Sequence, residues 1–429
     1  MQLENRVNKL NGKEWLKNSI NYYQFDSFDL DNIQSRFKDY CFKERESGEV
    51  FTYASKYIVH NYDFTFQYLK KYADVKKILK IIYFSAYSSY HVVLLDDSVY
   101  DNHLVTKTIT SFIEESGLEY RGRIIIDCKK ENIRKIALLI LNRKDNKSEE
   151  EFNNVAICDY PVKFLKEKDY VINSKTKIDK IGLKHPAPYS YNDISTLAEI
   201  ENINNQTILD PFLGVGSTIL GTYKNNYNIG IELNKEYVDL IKERIDFLKI
   251  TDLEDSKYKI VNGDSLEEIS KLESGIDCVI TSPPYFNILK NKSKGVRHDN
   301  SQSRQGVEYY SESNKDIGNI DEYTSYLEAM TKIFKDTYNK MTRKGKFYLI
   351  ISDFTINKKE KDIHSDMILC MEKAGYAYSK TSYILQNQKV IYPFGYPYKL
   401  VLNHIYQYII VFEKEWAYGG SKKETNNIL

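Results

Sequence analysis

From residue 207 onward, short apolar runs alternate with longer stretches whose apolar residues recur at helical spacing. Thr207–Leu209, Ile229–Leu233, Tyr258–Val261, Ile276–Ile280, Lys346–Ser352, Thr381–Leu385 and Ile405–Glu413 are the short runs and read as strands. Between them, Lys235–Leu248 carries Tyr237, Val238, Leu240, Ile241, Ile245 and Leu248 at a helical period. Ser217–Lys224 opens a helix, Tyr323–Met341 is a long amphipathic one, and His364–Ala374 is another. Strands regularly separated by helices predict an α/β fold on a doubly wound, mostly parallel sheet.

The first 175 residues carry a fainter version of the same pattern. His91-Val-Val-Leu-Leu-Asp-Asp97 resembles Phe347-Tyr-Leu-Ile-Ile-Ser-Asp353. Each is followed by a helical stretch, then by Gly117-Leu118-Glu119-Tyr120 or Gly375-Tyr376-Ala377-Tyr378, and later by an apolar strand, Ile136–Leu141 or Ile409–Phe412. The expectation is a degenerate half-repeat in an N-terminal α/β accessory domain, residues 1–175, serving target recognition or assembly. The charged segment Lys166–Lys180 marks the boundary, residues 176–416 form the main domain, and 417–429 are a small, polar tail that frays.

Composition narrows the class. Lys+Arg number 61 and Asp+Glu 60, so the net charge of +1 excludes a strongly basic coat protein or an acidic tail protein, though not a local basic cleft. Apolar residues at 42% are enough for a core. No apolar run approaches the ~18 residues of a membrane span, and the polar start MQLENRVNKLNGKEWLKN lacks a secretory h-region. Five scattered cysteines without a CxxC pair argue against a disulfide framework or a cysteine-built zinc site; no metal site is expected. The expectation is a cytoplasmic protein.

Two motifs carry chemistry. Asp210-Pro-Phe-Leu-Gly-Val-Gly-Ser-Thr218 follows a strand and opens a helix, where Gly214 and Gly216 let backbone approach a ligand. It is neither a GxGxxG fingerprint nor a P-loop. Glu232, at the tip of the next strand, suits ribose hydroxyls, and Asp264, after the third strand, suits an adenine edge. The second motif, Thr281-Ser-Pro-Pro-Tyr-Phe286, ends the fourth strand in a chain of only eight prolines, none before Pro161. Consecutive prolines remove two N–H donors and leave carbonyls at fixed positions to accept from a substrate amine; the ring that follows can stack on a planar base.

Together these motifs resemble the amino-group DNA methyltransferases, which modify N4 of cytosine or N6 of adenine with S-adenosylmethionine. Lys184-His-Pro-Ala-Pro-Tyr189 upstream and Leu349–Asp353 and His404–Lys414 downstream also resemble that family's motifs, over about residues 181–416. The resemblance implies a Rossmann-like class I methyltransferase fold with a seven-stranded sheet. It implies that Asp210, Phe212, Gly214, Gly216 and Ser217 line the cofactor, with Glu232 on the ribose and Asp264 on the adenine. His185, Pro186 and Ala187 would enclose the methionine end, and Ser282, Pro283, Pro284 and Tyr285 would hold a base flipped out of double-stranded DNA. The serine leans toward N4-cytosine; C5 chemistry is rejected because no Pro-Cys pair exists. A cognate restriction endonuclease and a homodimer are the further partners that the resemblance implies.

Three other readings stay open at this point: an N6-adenine enzyme, an RNA base methyltransferase with an N-terminal RNA-binding module, and a non-catalytic DNA-binding protein of the same fold. Asn287–Lys315, polar and rich in lysine and arginine, and the N-terminal 175 residues are the two segments that could read DNA.

Overall fold

The computed structural model describes residues 22–25, 64–69, 75–85, 90–96, 102–128, 133–142, 144, 147–155, 171–173, 190–247, 257–286, 311, 313–356, 359–385 and 406–414. The N-terminal sheet has five strands: β1 (Tyr22–Phe25), β2 (Phe64–Leu69), β3 (Tyr90–Asp96), β4 (Glu119–Cys128) and β5 (Ile133–Leu141), in the order β1-β4-β5-β3-β2. Helix α1 (Val75–Tyr83) follows β2, and α2 (Asn102–Ser116) follows β3. The apolar spacing of α1 buries Val75, Ile78, Leu79 and Ile82. Helix α3 (Glu149–Asn154), capped by the Ser148 hydroxyl, brings Phe152 against Tyr83 and Phe112.

The second sheet begins with β6 (Val171–Asn173) and α4 (Tyr191–Ile200). Alternating elements follow: β7 (Thr207–Asp210), α5 (Ser217–Thr222), β8 (Tyr227–Glu232), α6 (Lys235–Phe247), β9 (Tyr258–Asn262), α7 (Ser265–Lys271), β10 (Ile276–Thr281), α8 (Tyr323–Lys340) and β11 (Met341–Ile351). The hairpin β12 (Phe354–Ile356) and β13 (Lys359–Lys361), helix α9 (Ile363–Ala374), β14 (Ala377–Leu385) and β15 (Tyr406–Glu413) complete it. The order is β6-β14-β15-β11-β10-β7-β8-β9, and β15 alone runs against its neighbours. This is the expected Rossmann-like, mostly parallel sheet of seven strands, with β6 added at one edge. β6 pairs with Tyr383–Leu385 and lies inside the segment expected to belong to the N-terminal domain. Three residues within a charged stretch are too few to show a strand period. Among the described residues no helix is long and apolar enough to cross a membrane.

The two sheets share a topology. The N-terminal order β1-β4-β5-β3-β2 has the same strand directions as β6-β14-β15-β11-β10. β4 skips Arg121 between Tyr120 and Gly122 where it faces β5; β14 skips Ser379 between Tyr378 and Lys380 where it faces β15. Helices α2 and α9 each end on a left-handed glycine, Gly117 (φ 78°) and Gly375 (φ 105°). With the bulges superposed, Tyr22 opposite Ile125 falls on Val171 opposite Tyr383, and β3 falls on β11 in the register of the His91/Phe347 similarity.

The halves meet through the equivalent helices. Lys107 on α2 pairs with Asp366 on α9 at 2.5 Å, Thr110 donates to Asp362 at 3.3 Å, and Lys361 pairs with Glu114 at 2.7 Å. As one helix advances the other recedes, and they meet at matching turns, so the packing follows a local two-fold. One continuous apolar core holds Ile109, Phe112, Tyr120 and Ile136 together with Phe347, Ile363, Met367 and Tyr408.

Candidate functional site

Strand β7 ends at Asp210, whose carboxylate is buried. It accepts from the Phe212 N–H (3.0 Å), Thr218 Oγ1 (2.6 Å) and Thr281 Oγ1 (2.7 Å). One side chain thus ties the glycine turn to β10 and stands behind the cleft wall rather than in it. Gly214 (φ 53°) and Gly216 (φ 81°) take left-handed backbone. A Cβ on Gly216 would lie 2.9 Å from Ile241 Cγ2, so the turn packs directly on α6. Ser217, the first residue of α5, accepts from Arg244 Nη1 at 3.2 Å.

At the end of β8, Glu232 grips the same turn. Its Oε2 accepts the Gly214 N–H and its Oε1 the Asn234 N–H, both at 2.7 Å. Burial lifts its pKa to about 7 against these two donors, and the nearby Asp210 and Asp316 carboxylates push the same way. Asp264 caps α7 by accepting from the Leu266 N–H at 2.9 Å.

The end of β10 completes the opposite wall. Tyr285 is packed edge-on against Phe354 at 5.8 Å, and its hydroxyl accepts the Ser352 N–H at 3.0 Å. The Pro284 carbonyl accepts from Tyr326 on α8 at 3.0 Å. Of the two carbonyls expected to face a substrate amine, that of Pro284 is thus engaged by the long helix predicted over Tyr323–Met341.

These walls flank a cleft whose space, counted out into open solvent, is about 830 Å³. Phe212, Gly214, Ser217, Glu232 and Asp264 line it together with Ser282, Pro283, Pro284 and Tyr285. Gly216 supports the wall without lining it. His185, Pro186 and Ala187 lie outside the described residues. Of the Asn287–Lys315 segment, residues 287–310 and 312 also lie outside them, but Ser311 and Lys315 line the cleft with Asp316 and Ile317. Asp316 is set by the N–H groups of Ser311 (2.8 Å) and Gly318 (2.9 Å), and Lys315 pairs with Glu267 at 2.5 Å. Asp316 and Ile317 were not singled out from sequence, Tyr237 was read only as part of the apolar period of α6, and Ser311 and Lys315 only as part of a segment that could read DNA. Three carboxylates against one lysine favour a cationic ligand.

Behind Tyr285 is a second cluster. Asp353, Asp362 and His364 bring their ligand-type atoms within 4.8 Å of one another. A cation of the chain already sits there: Arg123 Nη1 lies 2.7 Å from His364 Nε2. The cluster therefore reads as a charged network rather than a metal site. Among the described residues the two free cysteines, Cys278 and Cys370, are buried, and burial raises both thiols above their ordinary range, so neither is a ready nucleophile.

The sequence model of a family described as DNA methylase matches residues 5–243. A type II methyltransferase, M.SfiI of Streptomyces fimbriatus, is 31% identical over 103 residues, 24% of this chain and 20% of that protein. The orphan methyltransferase M.BamHII of Bacillus amyloliquefaciens is 36% identical over 78 residues, 17% of this chain and 28% of that protein. The matched part thus spans about a fifth and a quarter of these relatives. Among solved structures, TrmN from Thermus thermophilus aligns with 96% of this chain and 77% of its own at 9% identity and a TM-score of 0.33.

Proposed function

Because the chain belongs to the DNA methylase family, we propose that it is a DNA methyltransferase that modifies the exocyclic amino group of a flipped base, most readily N4 of cytosine. The observation that carries this is the single cleft shared by the glycine turn, Glu232 and Asp264 on one side and Ser282–Tyr285 on the other. The cofactor is S-adenosylmethionine, which when bound supplies an electrophilic methyl group on a cationic sulfonium. The cleft's carboxylates suit that charge, Glu232 the ribose, and Asp264 the adenine.

An exocyclic amine gives its lone pair to the ring and attacks poorly. The Ser282 hydroxyl and the Pro283 carbonyl would accept its hydrogens and favour a pyramidal nitrogen whose lone pair is free for in-line attack. No covalent bond to the enzyme is needed. Tyr285 would stack on the extruded base. Ser282, in the first position of the motif, supports cytosine over adenine. The N-terminal sheet is read as a degenerate copy of the base-pocket half, kept for recognition or assembly. The double-stranded DNA substrate, a cognate endonuclease and a homodimer are the partners that follow from the same reading.

The test is methyl transfer from labelled S-adenosylmethionine to unmethylated bacteriophage DNA, followed by nucleoside chromatography. Label in N4-methyldeoxycytidine is expected; label in N6-methyldeoxyadenosine would move the assignment to adenine, and label on structured RNA alone would overturn it.

A further inference from the structure

We propose that Arg123, on the N-terminal sheet, is a positioning residue for the base pocket and acts on Tyr285 through His364 and Asp353. The proposal rests on the reading of Ser282–Tyr285 as that pocket.

The path is short, and buried from Arg123 to Asp353. Arg123 and His364 are 2% and 0% exposed. A guanidinium only donates, so His364 Nε2 accepts from Arg123 Nη1 at 2.7 Å, and the ring proton is on Nδ1. Nδ1 donates to Asp353 at 2.8 Å and lies 2.7 Å from Asp362. Asp353 also accepts the His364 N–H (3.2 Å) and the Tyr408 hydroxyl (2.9 Å), while the Tyr408 ring stacks on His364 at 4.2 Å. Both chain neighbours of Asp353 touch Tyr285: the Ser352 N–H donates to its hydroxyl, and Phe354 packs on its ring. Fixing the Asp353 carboxylate therefore fixes the two residues that aim Tyr285.

The local two-fold supplies a second argument. In the matched registers the counterpart of Arg123 on β14 is Thr381, and the counterpart of His364 on α2 is Thr106. The network has thus been kept on one side of the two-fold only, the side that carries the proline pair. Carried through the same registers, Pro283 and Pro284 fall on Leu69 and Lys70 of the N-terminal copy, so the pair is absent there. A purely structural interface between two similar halves has no reason to aim its buried arginine at the half that carries the intact pocket.

The experiment uses the full chain with 3-fluorotyrosine at position 285, read by fluorine NMR, beside methyl transfer to unmethylated bacteriophage DNA at saturating S-adenosylmethionine. Arg123→Gln should shift the Tyr285 resonance and lower kcat at least tenfold, with the cofactor Kd within twofold. Arg123→Lys should produce a smaller change of the same sign. Thr106→Val, at the equivalent buried position across the two-fold, should leave both readings within twofold of wild type. Unchanged resonance and kcat in folded Arg123→Gln would overturn the proposal, as would an equal effect from Thr106→Val. Where Arg123→Gln does not fold, Arg123→Lys decides by the same criterion. A wild-type chain that transfers no methyl group to DNA would defeat the functional reading, and the fluorine signal alone would still decide the positioning.

Discussion

Glu232 serves two partners with one carboxylate: it holds the glycine turn through the Gly214 N–H and faces the cleft. Its folded pKa of about 7 stands above the ordinary value of about 4.3 for an unfolded glutamate. The folded state therefore holds a proton that the unfolded state has lost, and the stability present below about pH 4 declines as pH rises to about 7. Urea unfolding without cofactor should show this group costing roughly 1–3 kcal/mol between these limits. Glu232→Gln should flatten that part of the profile, and an unchanged slope would contradict the assignment. The same variant should weaken S-adenosylmethionine binding by about 1.5–3 kcal/mol in calorimetry, the worth of hydrogen bonds to a charged acceptor. Tyr285 separates the two halves of the site. Tyr285→Ala should lose about 1–3 kcal/mol of base stacking and show it as a lower methylation rate, with cofactor affinity nearly intact. Lost cofactor affinity with a normal rate at saturation would remove Tyr285 from the base pocket.

At the scale of elements, the glycine turn depends on how closely α5 packs on α4. A Cβ on Gly221 would come within 2.7 Å of the Tyr191 carbonyl oxygen and of Ile194 Cβ. Backbone cannot yield as a flexible side chain does, so Gly221→Ala should cost about 1–3 kcal/mol by overpacking. Because α5 starts right after Gly216, cofactor affinity should fall too; a denaturant midpoint and affinity equal to wild type would show that α5 does not set the turn. The elements themselves were legible. β10 is buried at all but one position and reads as a plain apolar run, and α6 shows its period because one face meets water. What was not legible lacks local signal. α7 is only about two turns long, β6 has three residues, and Asp316 becomes a wall residue only because the chain returns to the cleft. Arg123 meets His364 across 241 positions, a pairing that no pattern within either segment contains.

For the whole molecule, the sequence suggests that residues 181–416 could build the cofactor pocket alone, and the packing argues otherwise. α9 lies between the two sheets, with Ile363, Met367 and Met371 in the shared apolar core and Asp362, His364 and Asp366 turned to Thr110, Arg123 and Lys107. A chain starting at Lys175 loses those three partners and β6 as well. Stranding a buried charge after its partner is removed costs about 3–5 kcal/mol, and a whole domain holds only about 5–15 kcal/mol in reserve. Two such losses, about 6–10 kcal/mol together, with an apolar helix face also opened to water, take up most or all of that reserve. The full chain should therefore unfold in one calorimetric transition, with calorimetric and van't Hoff enthalpies in agreement, and the chain starting at Lys175 should aggregate or stay unfolded. Two well-separated transitions, or a soluble truncated chain that binds S-adenosylmethionine as tightly as the whole, would show that the halves are independent and that the polar contacts between α2 and α9 join two already stable units.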